Sequence, residues 1–419
     1  MFSRARRILH QKIAELARSL SACHHPERNR GFAARGTRHA GAWLAGKTEG
    51  TMTRLGMRTL CGAVAGLALA VGADRGFAME PGNFGQTITG GTIGAVIAAP
   101  APPGVYVVMD SIIAPTLTGV GQNLGTTVTV PLWGPTLFWS TGWQFLGANV
   151  AGAVVQPFYY VAAYQSNGAT LGGNGSGPPF GVLNGAGCVT CIWFENTANT
   201  LITPLILQWT LGHGWFADLG VTIIPPDGSH YNGTTVPDYW TVEPRGGFAY
   251  VDKDWHFTAN FKYDINGTSK GTMGTYSLLA NTAGALPPLP GLAATVASFG
   301  NGYQSGNELF ADLALTHLFG KMEIGPVAAI KQQTTNDTPG SGFTCAQVVA
   351  LLGPTAGCGK ASVVAVGGLW GYNFGPVDWQ VWITDSVHVE DDFGGWAIYT
   401  RLTYKLWGPE PPPKPMYTK

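Results

Sequence analysis

Three short motifs in this sequence have residue types and spacings typical of enzyme or cofactor sites. Gly267-Thr-Ser-Lys-Gly271 matches the G-x-S-x-G motif, which places a serine nucleophile on a sharp turn between a strand and a helix. A strand pattern ends at Ile265, but a long segment rich in Gly, Thr and Ala follows it. Gly172-Gly-Asn-Gly-Ser-Gly177 also lacks the helix N-terminus that binds phosphate in glycine-rich nucleotide sites. We therefore predict neither a nucleophilic serine nor a nucleotide site, and no catalytic residue.

The third motif is a cysteine pair, Cys188-Val-Thr-Cys191, with the spacing of redox and metal sites. A zinc site needs a second ligand pair, and Cys345 and Cys358 are too far apart in sequence to be a typical one. A redox motif needs a strand-to-helix context, whereas this pair lies in a glycine-rich stretch. Four cysteines in an exported chain favour disulfides over metal or redox chemistry, with the pairing left open. We expect no metal and no cofactor.

Ten charged residues complete the candidate set, because each lies on the polar side of a strand-like pattern. They are Asp218, Glu243, Arg245, Lys262, Asp264, Glu308, Asp312, Lys331, Arg401 and Lys405. Both signs are present, so the set suits either a polar path or a network of ion pairs. The structure that positions them decides between these two roles.

The clearest element is the segment from Trp255 to Ile265, in which apolar and polar residues alternate without a fault. Side chains alternate faces along a strand, so the segment has one apolar and one polar face. A soluble strand usually has about five or six residues, whereas a tilted strand that crosses a bilayer has about 9–11. The same alternation recurs in 215–223, 240–250, 308–319, 377–384 and 396–407.

The connections between these segments alternate between tight and long. Tight ones lie at 212–214, 252–254, 320–321 and 375–376, and long ones at 225–238, 266–304 and 334–360, with an intermediate one across 390–394. Outer-membrane barrels have short periplasmic turns and long extracellular loops. Four less regular strands near 104–115, 125–140, 147–163 and 198–211 precede these segments. We predict an all-β transmembrane antiparallel β-barrel of about 12 strands over residues 104–407, with 255–265 as the seventh strand.

Prolines leave the strand count open. Pro131, Pro135 and Pro157 interrupt the early strands, and proline is poorly tolerated in a central ladder. Ten or fourteen strands are therefore alternatives.

A barrel orients the ten charged residues towards the lumen, since a lipid-facing Lys or Arg at mid-bilayer costs about 2–4 kcal/mol. There they line a polar path or fill a narrow lumen as a paired network, and both alternatives stay open. Aromatic residues near strand ends predict girdles at the membrane interfaces, with core filling as the alternative. They are Trp215, Trp240, Trp255, Tyr263, Trp379, Trp396, Tyr404 and Trp407.

Composition agrees with a β-rich membrane protein or a large β-sandwich. Only 11% of the 419 residues are charged, against about 25% in an average soluble domain. The chain has 60 Gly and 14 Trp, yet no run of 18 apolar residues follows residue 80. Residues 79–419 hold eleven Lys or Arg and twenty Asp or Glu with no basic stripe, which argues against a nucleic-acid partner.

The segments outside the barrel have their own signatures. Residues 52–78 resemble a signal peptide, with basic residues, an apolar stretch over 61–73 and a Gly76-Phe77-Ala78 cleavage site. Residues 1–51 read as an unstructured upstream extension from a misplaced start, or else as a genuine basic leader. Residues 79–103 are a flexible N-terminal leader or a plug inside the lumen, and 408–419 are a disordered proline-rich tail.

Four sequence words carry a family resemblance: Trp240-Thr-Val-Glu-Pro244, Asp264-Ile-Asn266, Tyr303-Gln-Ser-Gly-Asn-Glu308 and Lys331-Gln-Gln-Thr-Thr-Asn-Asp337. In this order the chain resembles the outer-membrane family named after the MetA pathway of phenol degradation, which is similar to the long-chain fatty-acid (FadL-like) transporters. The resemblance covers about half of the chain, between 200 and 407. It implies a twelve-stranded type of barrel and passage of small hydrophobic or aromatic molecules. It implies no catalytic residues, and the cysteine-bearing loops and proline tail depart from it.

We therefore predict a non-enzymatic outer-membrane channel or transporter for passive uptake of small hydrophobic or aromatic compounds. It would be exported through its signal peptide to the bacterial outer membrane. Its partners would be the solute, outer-membrane lipid and the barrel-insertion machinery. The alternatives are a lipase- or esterase-type barrel enzyme and a secreted β-sandwich binding module.

Overall fold

The computed structural model describes residues 85–119, 126–165, 194–228, 236–270, 301–347 and 359–409. The predicted upstream extension, the signal peptide, the Gly172–Gly177 motif, Cys188, Cys191, Cys358 and nearly all of the proline-rich tail lie outside these ranges. The predictions for them therefore stay predictions. Within the described ranges, no helix is long and apolar enough to cross a membrane.

Sixteen strands make up the described structure. The first eight are β1 (Gly104–Gly119), β2 (Thr126–Phe145), β3 (Ala148–Val155), β4 (Phe158–Gln165), β5 (Phe194–Thr197), β6 (Leu201–Gly212), β7 (Trp215–Ile224) and β8 (Thr241–Val251). The others are β9 (Trp255–Asn266), β10 (Thr268–Lys270), β11 (Asn301–Gln304), β12 (Glu308–Phe319), β13 (Met322–Gln333), β14 (Ser362–Asn373), β15 (Val377–Glu390) and β16 (Phe393–Trp407).

The strands form a closed antiparallel barrel with twelve positions. The ring runs β1, β16, β15, β14, β13, β12, β9, β8, β7, β6, β3 and β2, and β2 pairs again with β1. β3 and β4 pair with successive parts of β2, so they share one position in the ring. β5 pairs with β4 and β6 pairs with β3, so β5 and β6 share the next position. The predicted fold class is confirmed, β9 is the seventh strand, and a β-sandwich is excluded.

Prolines explain why the third position is split into β3 and β4. The break falls at Gln156 and Pro157, because Pro157 has no N–H to donate to the ladder. The neighbouring backbone remains paired, with Gln156 N donating to Pro135 O at 3.1 Å and Ala198 N donating to Pro157 O at 2.9 Å. The prolines therefore interrupt single ladder bonds without removing a strand position.

One end of the barrel carries the tight turns, here called the short-turn end. Leu146 and Gly147 join β2 to β3, and His213 and Gly214 join β6 to β7. All four have positive φ angles, between 51° and 81°. This backbone is that of type I′ turns, whose twist matches the right-handed twist of the flanking strands.

The opposite end, here called the loop end, carries the longer connections. The longest joins β9 to β12 and contains a separate hairpin of β10 and β11. Ser269 of the G-x-S-x-G motif lies inside β10 and is buried, so it does not occupy the exposed turn of a serine nucleophile. The β15–β16 connection is shorter than expected, with only Asp391 and Asp392 between the two strands, because these strands extend further than their alternation indicated.

Alternation separates the two faces of the barrel wall. Large apolar side chains such as Leu219 and Phe248 are at least half exposed on the outside, where lipid would cover them. Buried polar side chains lie at the alternate positions. Of the predicted girdle, Trp215, Trp240, Trp255, Trp396, Tyr404 and Trp407 are strongly exposed, and Trp133, Trp139 and Trp143 add to it.

Candidate functional site

Residues 85–101 bind inward-facing side chains of the barrel wall and are here called the plug segment, after the role that we propose for them. The carboxylate of Asp312 on β12 accepts three hydrogen bonds from this segment. Gly90 N donates to Oδ1 at 2.9 Å, and Thr92 donates to Oδ2 through its N–H at 2.9 Å and its hydroxyl at 2.6 Å. A carboxylate accepts such bonds strongly because it is charged. Asp312 is therefore a principal anchor of the segment.

Arg401 on β16 is a second anchor. Its Nη1 donates to Ile93 O at 2.9 Å, its Nη2 donates to Gly91 O at 2.6 Å, and its Nε donates to Asp110 Oδ1 at 2.7 Å. The guanidinium lies 5.0 Å from the centre of the Trp382 ring, which favours a cation over its face. The planar guanidinium thus donates in parallel to two nearby carbonyl groups of the plug segment, which a lysine could not do.

Neutral side chains from other strands complete the seat of the plug segment. Asn260 Nδ2 donates to Thr92 O at 2.8 Å and to Ala95 O at 3.0 Å, and Gln208 Nε2 donates to Ile97 O at 2.5 Å. Tyr399 donates its hydroxyl to Thr89 O at 3.0 Å. Most of these contacts involve the main chain of the plug segment. The wall residues that bind the plug segment, here called the seat, therefore recognise its backbone conformation more than its particular side chains.

Glycine is required at one point of that conformation. Gly94 has a φ of 68°, a region that L side chains rarely adopt. A Cβ at this position would lie 2.6 Å from Leu369 Cδ1, closer than side-chain packing allows. The glycines of the segment thus allow it to fold closely against the wall.

A buried ion-pair network surrounds the seat. Lys262 Nζ lies 3.3 Å from Asp312 Oδ2, and Lys331 Nζ bridges Glu308 at 3.0 Å and Asp392 at 2.9 Å. Taking such charges out of water is costly, and removing one partner leaves the other uncompensated. The network therefore makes the interior sensitive to single charge changes.

The ten predicted lumen residues divide by exposure. Eight are buried in the barrel interior: Asp218, Glu243, Lys262, Asp264, Glu308, Asp312, Lys331 and Arg401. Arg245 and Lys405 are partly exposed. Thr87 of the plug segment lies 2.7 Å from Glu243 and 3.2 Å from Asp264. Within the described residues, neither carboxylate oxygen of Asp218 has a hydrogen-bond partner.

Sequence reasoning missed several interior groups. Asp110 pairs with Arg401, Asp392 pairs with Lys331, and Glu323 accepts a hydrogen bond of 2.5 Å from the Thr316 hydroxyl. Asp110 lies on β1 between inward-facing Val108 and Ile112, so its strand has no polar face that alternation could reveal. Within the described ranges, no three His, Cys, Asp or Glu side chains are arranged to hold a metal ion.

A cavity of about 950 Å³ surrounds the plug segment. Apolar side chains from the inner face of β1–β4 line one side of it, among them Val108, Ile112, Leu132, Phe138, Val155 and Tyr159. Charged side chains such as Arg245 and Lys331 border the other side. The interior therefore combines a polar seat with an apolar wall, which the strand patterns did not indicate.

Asp337 organises the loop end above this cavity. Its Oδ1 accepts hydrogen bonds from Gly306 N and Gln333 Nε2, both at 2.6 Å, and its Oδ2 accepts one from the Tyr303 hydroxyl at 2.7 Å. Burial raises the pKa of the Asp337 carboxyl to about 7, against the opposing effect of these donors. The carboxyl joins the segment before β12 to the segment after β13.

We expect this loop junction to weaken as the pH rises. The folded-state pKa is above the unfolded value, so the contribution to stability is complete below about pH 4 and is lost as the pH rises through about 7. Hydrogen exchange of residues 301–307, corrected for intrinsic rates, should accelerate between pH 5 and pH 8. Asp337→Asn cannot ionise, so it should remove the pH dependence of this exchange. If exchange in Asp337→Asn still accelerated between pH 5 and pH 8, the pH dependence would not come from Asp337.

The model of the family described as "Putative MetA-pathway of phenol degradation" matches residues 114–402, which is more than half of the chain. The chain belongs to this family. The resemblance inferred from the four sequence words is thus confirmed for this member of the phenol-degradation family. No protein with curated function matches the sequence.

One solved outer-membrane channel shares the architecture of the family member. The COG4313 outer membrane channel from Pseudomonas putida F1 matches with a TM-score of 0.53 and 8% identity, over 74% of this chain and 98% of that chain. The toluene transporter TodX of Pseudomonas putida matches with a TM-score of 0.34 and 12% identity, over 80% and 100%. At these identities the first likeness shows the fold alone: an outer-membrane barrel.

Proposed function

We propose that this phenol-degradation family member is a channel for passive uptake of small hydrophobic or aromatic compounds across the outer membrane. The observation that carries the proposal is the cavity of about 950 Å³ inside a closed barrel, because it continues beside the plug segment and has an extensive apolar lining. Ligand pockets for small apolar molecules have this combination of size and lining.

The family description supports the aromatic part of the proposal, since phenol is a small aromatic compound. The barrel supports the passive part, because a solute that follows its own gradient needs only a continuous path. The partners would be the solute and the surrounding outer-membrane lipid, which the exposed apolar outer face would contact. Insertion machinery and export through residues 52–78 belong to the same proposal.

Uptake into lipopolysaccharide-containing proteoliposomes tests the proposal. Phenol, toluene, an aliphatic alkane and glucose should be compared with protein-free vesicles, because lipopolysaccharide slows unaided permeation of apolar compounds. We expect the protein to accelerate uptake of the aromatic and aliphatic compounds and to have little effect on glucose. Equal rates with and without protein for all four compounds would refute the proposed function.

A further inference from the structure

We propose that the barrel interior has two walls with different tasks, an inference that rests on the proposed function. The charged wall, formed by the inner faces of β7–β9, β12, β13 and β16, holds the plug segment. The apolar wall is formed by the inner faces of β1–β4, whose one charged residue, Asp110, is bound by Arg401. This wall and the facing side of the plug segment form the solute path. The permeant would then be an uncharged apolar or aromatic molecule that does not touch the ion-pair network.

The buried charges of the charged wall, unlike the partly exposed Arg245 and Lys405, are closed to a solute. Asp264, Glu308 and Asp312 have no exposed surface, and Lys262 and Arg401 are only 5% and 6% exposed. The polar atoms of Asp312 and Arg401 are used by Lys262, by Asp110 and by the plug segment. A solute could reach these groups only by displacing the plug segment and breaking charge-assisted hydrogen bonds.

The apolar wall is open. Val108, Leu132, Phe138 and Val155 point inward, yet each remains partly exposed, because the cavity lies next to them. On β2 the outward neighbours Trp133 and Leu137 are also apolar, so this strand is apolar on both faces. An inner face has no lipid to cover it, so exposed apolar surface there indicates a site that an apolar ligand covers.

The plug segment contributes apolar surface to the same space. Ile88, Val96 and Ile97 border the cavity opposite β1–β4. Towards the short-turn end, the Tyr106 and Phe138 rings lie 6.0 Å apart. Towards the loop end, Tyr159 and Val236 pack with Val130 and Leu132. Apolar side chains therefore follow the path along the height of the barrel.

This lining selects by charge. A neutral aromatic molecule gains by leaving water for the apolar wall, whereas an ionised group would lose its hydration without finding a partner there. The buried Lys262, Lys331 and Arg401 are already paired with Asp312, Glu308 and Asp110. The path should thus pass phenol or toluene and hinder benzoate.

Single substitutions on the two walls test the assignment. Val108→Asp on β1 and Val155→Asp on β3 each place a carboxylate in the path, and Val108→Leu keeps it apolar. Arg245→Gln removes a partly exposed charge that borders the cavity on the charged wall. Folding of each variant is checked by the shift between boiled and unboiled samples on a gel, and uptake of toluene is measured in the same proteoliposomes.

We expect each Asp variant to reduce toluene uptake roughly tenfold, the size of effect that desolvation of a polar group gives. Val108→Leu and Arg245→Gln should stay close to the wild-type rate. If Val108→Asp does not fold, Val155→Asp decides alone. Folded Asp variants at the wild-type rate, or a comparable loss in Arg245→Gln, would overturn the two-wall assignment. Absence of uptake by the wild-type protein would instead overturn the proposed function.

Discussion

Deletion of residues 85–101 should raise the single-channel conductance of the barrel severalfold. The segment occupies the lumen and is held from β6, β9, β12 and β16, so its removal opens space that ions can use. Of the interior groups described above, eight are acidic and five are basic. The acidic ones are Asp110, Asp218, Glu243, Asp264, Glu308, Asp312, Glu323 and Asp392, and the basic ones are Arg245, Lys262, Lys331, Arg401 and Lys405. We therefore also expect the enlarged pore to favour cations.

Planar-bilayer recordings of the deletion variant measure both effects. The matched control replaces residues 85–101 with a Gly/Ser segment of equal length, which keeps the chain length but removes Ile93, Thr87 and Thr92 from their contacts. This control should also conduct more than the wild type. Unchanged conductance in the deletion variant would reject the role of the segment as a plug.

Substitution of Asp312 by Ala should destabilise the barrel by about 3–5 kcal/mol, the usual cost of removing one partner of a buried ion pair. Lys262 would remain buried without its carboxylate, and the Gly90 and Thr92 donors would lose their acceptor. Denaturant unfolding in detergent measures the stability. Single-channel recordings should show more frequent openings, because the plug segment loses an anchor.

Two further variants separate these contributions. Asp312→Ala combined with Lys262→Met removes the uncompensated charge, so it should recover much of the stability while the openings persist. Asp218→Asn is a matched control, since Asp218 is as deeply buried but has no hydrogen bond to the plug segment among the described residues. We expect it to leave both stability and gating nearly unchanged. If Asp312→Ala matched the wild-type protein in both stability and channel openings, Asp312 would not be an anchor of the plug segment.

The pattern of β9 shows how far sequence reasoning reaches. Alternation from Trp255 to Ile265 predicted the strand, and together with the neighbouring segments it predicted the place of this strand in the order. It also predicts the side of each residue, because a strand in a barrel wall meets lipid on one face and the interior on the other. Lys262 and Asp264 lie on the buried face as a consequence. A one-residue shift would place these charges in lipid, so few registers compete.

β1–β4 did not allow the same reasoning. Most of their inner residues are apolar as well, so β2 has little contrast between faces, and Pro157 divides the third strand position. Alternation of polar and apolar residues therefore could not show which face of these strands points inward, and the apolar wall was not predicted. The plug segment was equally ambiguous, because its main-chain groups, rather than a periodic set of side chains, make most of its contacts.

The sequence by itself determined that the chain forms an antiparallel barrel, predicted about twelve strands with ten and fourteen as alternatives, and predicted which charged residues avoid lipid. These properties follow from the two-residue period of a strand and from the cost of a charge in a bilayer, both of which act locally. Only the tertiary structure decided that Asp312 and Arg401 hold the plug segment and that the open space lies against β1–β4. Those contacts join residues 220 to 310 positions apart, and closure of the ring alone brings them together.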